Sequence, residues 1–543
     1  MTDIRISRNP YAAFFGGLGF HNNDATMYHV MDKEHFNQII CKNYREISPG
    51  FMRTFGGFSD WTKEAMDEFA EYYTQMQRWT DTPIYLTPAA GKLHFSDEEM
   101  RNYAEDVADR LAYLYFEKDV RHLRYYCFSN EMSRVMWGVL MDDLETFKKY
   151  HTYLYDAFQR RGLPIGLLAT DASEYENWST VDWAIRNMAD ISEDYCVHIY
   201  EREHDIRDLS FYGFFKEQCE KIVGKAIRNF GKRVILGEVG IQKNAGQLSF
   251  NEGVVIDTNR YFADPEECAF SALMLCEMAF AAINAGIFAL CYWSFCDHPA
   301  PFSCAYSNKH GSYAEKWSEA ERFFSCTTDT KYNKFGFTKW DDFAKDYGAR
   351  AHYYGVAPMI KLFKRNSYVL AVTSCDALLR TCGLLNRDGS LSVGVVNRRK
   401  EPVAVRWEST LFGAKPIRVY EYDPKNVPFN RFCDLPDFAA VVEPNAAVYE
   451  LKPESVTFFT TDYLEKPHTV RAVGQTVSSH TLTWEPVSDP NHCYYRIFAD
   501  KKADFVPSRE NQIASTVACR LPLEADKEVL HYKVLSVDKS GNL

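Results

Sequence analysis

Two stretches of the chain decide its fold: Cys127-Phe128-Ser129-Asn130-Glu131 and Val234-Ile235-Leu236-Gly237-Glu238. Each is a short apolar run that leads directly into a glutamate. The apolar residues predict buried strands of a parallel sheet. Because the carboxyl ends of parallel strands lie at one edge of a sheet, we expect both glutamates at the same end of one scaffold.

Repeated βα units surround these two stretches, from the N-terminus to about residue 365. Short apolar runs alternate with longer amphipathic segments, which is typical of strands and helices around a parallel sheet. Candidate strands cover residues 12–20, 50–55, 83–88, 123–128, 164–169, 195–200, 233–238 and 287–294. Helical patterns cover residues 61–79, 97–118, 143–161 and 265–285. The pattern predicts an α/β fold, a (β/α)8 TIM barrel over residues 1–365 with its chemistry at the carboxyl ends of the strands.

Two β domains are predicted after the barrel. Period-two alternation in residues 390–396 and 404–407 predicts a β-sandwich over residues 366–463, and Lys466-Pro467 predicts a linker. Later strand-like runs are spaced as in fibronectin type III modules, so residues 464–543 are expected to form such a module. The segment 295–340, which follows the eighth strand, is too long for a simple connection and predicts a lid.

Composition and charge disfavour a disordered protein and a nucleic-acid-binding protein. A hydrophobic fraction of 46% and an aromatic fraction of 15% indicate a well-packed globular protein rather than a disordered one. A net charge of -12 and only short basic runs disfavour nucleic-acid binding.

The cysteines and the apolar runs bear on location. The 15 cysteines include no C-x-x-C pair, which favours reduced thiols over a disulfide framework. No secretion-type apolar core and no uninterrupted apolar run of membrane-spanning length is seen, so we expect a cytoplasmic protein without a membrane partner. The sequence is compatible with a homo-oligomer and does not determine the oligomeric state.

Polar residues at other strand ends support the two glutamates. Arg53 ends the second strand, where its guanidinium would favour the ionised form of Glu238. Period-two alternation places both polar side chains of His198-Ile199-Tyr200, which end the sixth strand, on the interior face. Tyr200 would then donate a hydrogen bond to Glu238, and His198 would orient the network. Taken alone, Arg53 is also explained as a structural ion pair and His198 as a core histidine.

Two further residues suggest a carbohydrate ligand. Trp293 ends the eighth strand, where its indole would form an apolar floor under a sugar ring, although core packing explains it equally well. Asn130 would donate to a sugar hydroxyl, a contact that strengthens in an oxocarbenium-like transition state. Two carboxylates roughly 5 Å apart across a glycosidic bond are what a retaining glycosidase needs.

These residues resemble a known site. The shared site of clan GH-A, the retaining glycoside hydrolases on (β/α)8 barrels, is matched by Arg53, Asn130, Glu131, His198, Tyr200, Glu238 and Trp293. A barrel followed by a β-sandwich is similar to family 39, the β-xylosidase and α-L-iduronidase branch, over about residues 10 to 462. The chain reads Asn130-Glu131-Met132-Ser133 where family 39 usually has Asn-Glu-Pro-Asn. The resemblance implies Glu131 as acid/base, Glu238 as nucleophile, a carbohydrate substrate, and neither cofactor nor metal.

Two other functions remain open. In a metal-dependent sugar isomerase or epimerase, Mn²⁺ or Mg²⁺ would be held by Glu131, Asp171, His198 and Glu238. That function gives Asn130 and Tyr200 no role. A non-catalytic carbohydrate-binding protein on a decayed barrel would lack one of the two glutamates, and both are present.

The mode of action and the sugar depend on the loops. The predicted lid favours exo action, because it would close one end of the cleft. The loop residues on which sugar identity would depend include Asp24, Trp61, Glu174, Asp297 and His298.

Overall fold

The structure is a computed structural model of the 543-residue chain. It describes residues 2–22, 28, 31–56, 62–88, 96–241, 264–299, 332–333, 336–340, 346–408, 412–444, 448–464, 475–478, 480–523 and 530–543.

A closed eight-stranded parallel barrel forms the first part of the chain, as predicted. The strand before it is β1 (Thr2–Phe15), and the barrel strands are β2 (Gly17–His21), β3 (Phe51–Phe55), β4 (Ile84–Thr87), β5 (Leu123–Tyr126), β6 (Gly166–Ala172), β7 (Asp194–Glu201), β8 (Val234–Ile241) and β9 (Ala289–Tyr292). The barrel closes because β2 pairs in parallel with both β3 and β9.

Helices with local start and stop signals surround the barrel. Their bounds are α1 (Lys33–His35), a π-helix at Phe36–Ile40, α2 (Cys41–Ile47), α3 (Lys63–Gln77), α4 (Asp97–Ala112), a π-helix at Tyr113–Glu117, α5 (Arg134–Asp142), α6 (Leu144–Arg161), α7 (Glu174–Asn187), α8 (Phe211–Phe230), α9 (Pro265–Ala285) and α10 (Tyr353–Leu362). A capping box of Ser96 and Glu99 begins α4, and Gly162 in the left-handed conformation ends α6. These caps explain why the predicted helices lie close to the observed ones.

Helix α9 is long and apolar enough to cross a membrane by length and composition. However, 94% of its most apolar window is buried inside the protein. Its Phe280 stacks on Phe363 at a ring distance of 5.8 Å. A helix that is apolar on all sides is expected in such a core position.

The chain after the barrel is mainly β-sheet. Its strands are β10 (His298–Pro299), β11 (Tyr332–Asn333), β12 (Ser367–Ser374), β13 (Leu379–Leu385), β14 (Leu391–Asn397), β15 (Val403–Glu408), β16 (Ile417–Tyr422), β17 (Ala440–Val442), β18 (Val448–Leu451) and β19 (Ser455–Thr460). Nine strands form one sheet in the order β17-β16-β19-β14-β13-β12-β1-β15-β18. Trp407 of β15 nevertheless packs on Phe459 of β19 at a ring distance of 4.7 Å, so the two ends of this sheet face each other. The specific β-sandwich assignment stays a prediction.

The predicted first strand, residues 12–20, is divided in the structure. Strand β1 ends at Phe15 and pairs with β12 and β15 of the nine-stranded sheet, whereas β2 begins at Gly17 in the barrel. Gly17 has a φ of 117° and lies against the backbone of Gly50, where a Cβ would have no room. The N-terminal strand therefore joins the sheet that residues 366–463 form.

Two three-stranded sheets make up the C-terminal region. Their strands are β20 (Thr476–Ser478), β21 (Thr481–Thr483), β22 (His492–Asp500), β23 (Gln512–Thr516), β24 (Arg520–Pro522) and β25 (His531–Asp538). The sheets β20-β21-β24 and β23-β22-β25 share a core that includes Trp484, Tyr495 and Val534. The fibronectin type III assignment stays a prediction, and the predicted linker Lys466-Pro467 lies outside the described residues.

Candidate active site

Glu131 and Glu238 lie near the same end of the barrel. Glu131 follows β5 and has a φ of 53°, and Glu238 lies within β8, which continues to Ile241. Glu238 is paired in register with His198 of β7. Gly237 makes this pairing possible, because a Cβ there would lie 2.5 Å from Cys196 Sγ and 2.9 Å from His198 Nε2.

The carboxylates of Glu131 and Glu238 are close. One oxygen of each lies within 4.8 Å of the other and of a ring nitrogen of His198. Retaining glycosidases hold their two carboxyl groups about 5–5.5 Å apart, whereas inverting enzymes hold theirs about 6.5–9.5 Å apart. An oxygen–oxygen approach within 4.8 Å is shorter than the separation that inverting enzymes need.

Arg53 connects four residues of the site. Its Nη1 donates to Glu238 and lies 2.8 Å from His21 Nδ1. Its Nη2 donates to Asn130 Oδ1 at 2.6 Å and to Asp171 Oδ2 at 2.9 Å. The guanidinium is fully buried, so these contacts are shielded from solvent.

The two polar residues predicted at the end of β7 also reach the site. Tyr200 Oη donates to Glu238 Oε2. His198 Nδ1 lies 3.9 Å from Glu238 Oε1, and His198 Nε2 lies 2.9 Å from Asp171 Oδ1. Both side chains are buried, as the alternation along the strand predicts.

The environment gives the acidic groups different proton affinities. Burial, and then the charge of Glu238, raises the pKa of Glu131 to about 7. Burial opposes ionisation of Asp171, but the charges of His198 and Arg53 outweigh it and hold the pKa of this carboxyl well below its usual range. Near neutral pH the site thus contains one carboxyl poised to exchange a proton and one fixed carboxylate.

Aromatic rings line one side of the site. The His21 ring lies 4.4 Å from Phe55 and 4.4 Å from Trp293, between ring centroids. Trp293 directly follows β9 and is partly exposed. This position suits an apolar floor beside the polar network.

His21 and Asp171 are site residues that the sequence-based prediction did not assign to this role. His21 ends β2, and Asp171 lies near the end of β6. The sequence gives Asp171 a role only as a metal ligand of the alternative isomerase. The available signal was the same as for Arg53, namely a polar residue at the carboxyl end of a barrel strand.

Two groups of donor atoms are close enough to be considered for a metal. They are Asp171, Cys196 and His198, and Glu131, His198 and Glu238. Each group includes a carboxylate that accepts a hydrogen bond from Arg53. A guanidinium already supplies positive charge to both groups, so the donor set does not favour a divalent cation.

Of the loop residues expected to select the sugar, two form ion pairs and the side chains of the others are not described by the structure. Asp297 is bound in a bidentate pair by Arg350, with both N–O distances 2.8 Å, so it fixes the chain after β9. Glu174 pairs with Arg202 at 3.1 Å. Asp24, Trp61, the side chain of His298 and most of the predicted lid lie outside the described residues.

No protein-family profile and no curated protein matches the sequence. Several solved structures match it. A bacterial orthologue of human α-L-iduronidase matches 100% of this chain and 98% of its own, with a TM-score of 0.58 and 11% identity. The catalytic domain of GH30 xylanase C from Talaromyces cellulolyticus matches 84% of this chain and 99% of its own, with a TM-score of 0.52 and 12% identity. The GH51 arabinofuranosidase from Xanthomonas axonopodis pv. citri matches 85% of this chain and 100% of its own, with a TM-score of 0.53 and 11% identity.

These similarities concern the fold, because the identities are low. The neighbours named here are a GH30 xylanase domain, a GH51 arabinofuranosidase and an α-L-iduronidase orthologue, and this chain shares their fold. The resemblance to family 39 stays a prediction. The iduronidase-type match extends over the C-terminal region as well as the barrel and the nine-stranded sheet.

Proposed function

We propose that the protein is a retaining glycoside hydrolase that cleaves O-glycosidic bonds through a covalent glycosyl-enzyme. The observation that carries this proposal is the approach of Glu131 and Glu238 to within 4.8 Å at the carboxyl ends of the barrel strands. The fold shared with glycoside hydrolases supports it.

In the first half-reaction, Glu238 attacks the anomeric carbon and the glycosidic C–O bond breaks. Arg53 and Tyr200, which both donate to Glu238, aim the carboxylate. Glu131 gives its proton to the leaving oxygen, a step that its pKa of about 7 permits near neutral pH. The products are the free aglycone and an ester between Glu238 and the sugar.

In the second half-reaction, Glu131 is the base. It removes a proton from water, the water oxygen bonds to the anomeric carbon, and the ester bond to Glu238 breaks. Two displacements on opposite faces leave the anomeric configuration unchanged. Asn130, held by Arg53, and the partly exposed Trp293 are proposed to bind the sugar.

The substrate class is an oligosaccharide or glycoside. Exo action is proposed from the length of the segment after β9, which would close one end of the cleft. A cytoplasmic location is also proposed, because the thirteen cysteines in the described part of the chain are all free thiols.

The test is turnover of a panel of nitrophenyl glycosides, from xyloside to glucuronide, by the wild type and by Glu238→Ala and Glu131→Ala. Each variant should lose turnover by at least about 100-fold, with azide restoring part of it. A 2-fluoro glycoside should label Glu238, as a mass shift on its peptide would show. Glu193→Ala, at an exposed glutamate just before β7, is the matched control and should keep wild-type turnover. Undiminished turnover in either catalytic variant contradicts the proposal.

The alternative isomerase is distinguished by chelation. Hydrolysis that is unchanged in EDTA supports the glycosidase, because the donor atoms already bind Arg53. Loss of activity in EDTA, restored by Mn²⁺ or Mg²⁺, would favour the isomerase. Sugar binding without turnover across the whole panel would favour a non-catalytic binding protein.

A further inference from the structure

Asp171 is a fully buried carboxylate to which the proposed reaction gives no role. It lies in β6 with a φ of 62°, a conformation that residues other than glycine rarely adopt. Its Oδ2 accepts a hydrogen bond from Arg53 Nη2 at 2.9 Å, and its Oδ1 lies 2.9 Å from His198 Nε2. The side chain thus lies between the two basic residues nearest the proposed nucleophile, Arg53 and His198.

The net charge of the buried cluster around His198 bears on whether this histidine is protonated. The proposed reaction begins with a proton on Glu131 and a negative charge on Glu238. The charges of Arg53 and Asp171 cancel, so one negative charge remains in the cluster. An uncompensated charge in a buried cluster is costly. A second proton on His198, whose two ring nitrogens face Asp171 and Glu238, balances the cluster.

The same balance holds through the proposed reaction. When Glu238 becomes an ester, Glu131 has lost its proton, so the negative charge has moved from one glutamate to the other. A nitrogen of His198 lies within 4.8 Å of an oxygen of each. Arg53, protonated His198 and ionised Asp171 together keep one positive charge opposite whichever glutamate is ionised.

We propose that Asp171 is a positioning residue, which keeps His198 as an imidazolium and limits the fixed charge of the site to one positive unit. The charged groups that face His198 are Asp171 from β6, Arg53 from β3, Glu238 from β8 and Glu131 from the segment after β5. The thiol of Cys196, on the same strand as His198, also lies within 4.8 Å, and burial raises its pKa and keeps it neutral. Burial lowers the pKa of His198, but the charges of Asp171 and Glu238 outweigh this effect and raise it above its ordinary value. The charge balance and its catalytic consequence rest on the proposed function, whereas the position of His198 between Asp171 and Glu238 does not.

The first test is an NMR titration of the histidine rings in the wild type, with the His198 signal assigned by its loss in His198→Gln. The ring should remain protonated above pH 6.5, and in Asp171→Asn it should titrate at a lower pH. His151 is an internal control, since it is buried outside the site with its pKa lowered to about 4 by burial. A wild-type His198 that titrates at or below pH 6.5, or a titration unchanged in Asp171→Asn, overturns the proposal. The wild-type arm needs no variant of Asp171 to fold.

The second test is kinetic. Asp171 is fully buried and has no surface for a substrate, so Asp171→Asn should lower kcat by about 100-fold while KM changes little. Asp171→Glu should restore part of the loss. If Asp171 acts through His198, the double variant Asp171→Asn/His198→Gln should be no slower than His198→Gln. Additive losses overturn the proposal. If the wild type hydrolyses no glycoside, the proposed function fails, and the titration still decides the role of Asp171.

Discussion

Lys42 Nζ of α2 donates to Asp434 Oδ1 across 3.0 Å, and both side chains are fully buried. The other oxygen of Asp434 accepts from Arg509 Nη1 and Gln512 Nε2, each at 2.8 Å. Arg496 Nε lies 3.3 Å from the same oxygen. One carboxylate in the segment between β16 and β17 thus binds residues of both the barrel region and the C-terminal region.

Asp434→Ala should destabilise the whole protein. Removing a partner from a buried ion pair leaves unpaired charge, which costs about 3–5 kcal/mol in free energy of unfolding. Denaturant unfolding monitored by circular dichroism measures the change. Asp437→Ala is the control, because Asp437 pairs with Arg509 on the surface and its loss should cost less than about 1 kcal/mol.

The stabilising effect of Asp434 should depend on pH. Burial opposes its ionisation, but Lys42 and Arg496 outweigh it and hold the pKa of Asp434 well below its usual range. The contribution of Asp434 to the free energy of unfolding is therefore fully present above the ordinary aspartate pKa of about 3.9, and it is lost as the pH falls below that value. The difference between wild type and Asp434→Ala should shrink under acid conditions, and a difference that stays constant down to the lowest pH would contradict this origin.

The activity should fall on the alkaline side with the ionisation of Glu131. The acid form of Glu131 is present below its pKa of about 7 and disappears above it, so kcat/KM should decline as the pH rises past that value. The dependence should be steepest for substrates with a poor leaving group. In Glu131→Gln the alkaline limb should be absent, and a variant that keeps the wild-type limb would assign it to another group.

Arg53→Lys should lower kcat/KM by about 100-fold or more, although the charge is kept. A single ammonium cannot reproduce the planar guanidinium that bonds Glu238, Asn130 and Asp171 together. Arg233→Lys is the matched control. Arg233 also forms a bidentate pair with a carboxylate, since its Nε donates to Asp194 Oδ1 and its Nη2 to Asp194 Oδ2, but this pair lies at the start of β7 rather than at its carboxyl end. Similar losses in both variants would indicate a general effect on the barrel.

The barrel was predictable because each of its strands has a local signal. The apolar run before Glu238 predicts a buried strand wherever it lies, and the alternation in His198-Ile199-Tyr200 predicts which side chains face inward. The position of β1 was not predictable, because its partner β12 lies about 360 residues further along the chain and strand pairing over that distance leaves no local pattern.

The site was only partly predictable for a related reason. Strand ends bring Arg53, Tyr200 and Glu238 together in any such barrel. The same position does not distinguish an ion pair from a ligand, so the sequence gives Asp171 a role only in the alternative function, the metal-dependent isomerase. Asp297 illustrates the limit for loops, since its partner Arg350 is 53 residues away and follows a segment without a regular pattern.

Tyr200→Phe should slow both half-reactions. Tyr200 donates to Glu238, and the loss of this hydrogen bond removes an interaction that aims the nucleophile and stabilises it as a leaving group. We expect kcat to fall about 10- to 100-fold with an activated aryl glycoside, measured together with the pre-steady-state burst of nitrophenol. Tyr195→Phe is the control, because Tyr195 lies on the same strand and its buried hydroxyl has no hydrogen-bond partner among the described residues. A burst and a kcat equal to those of Tyr195→Phe would show that the hydroxyl of Tyr200 does not act on Glu238.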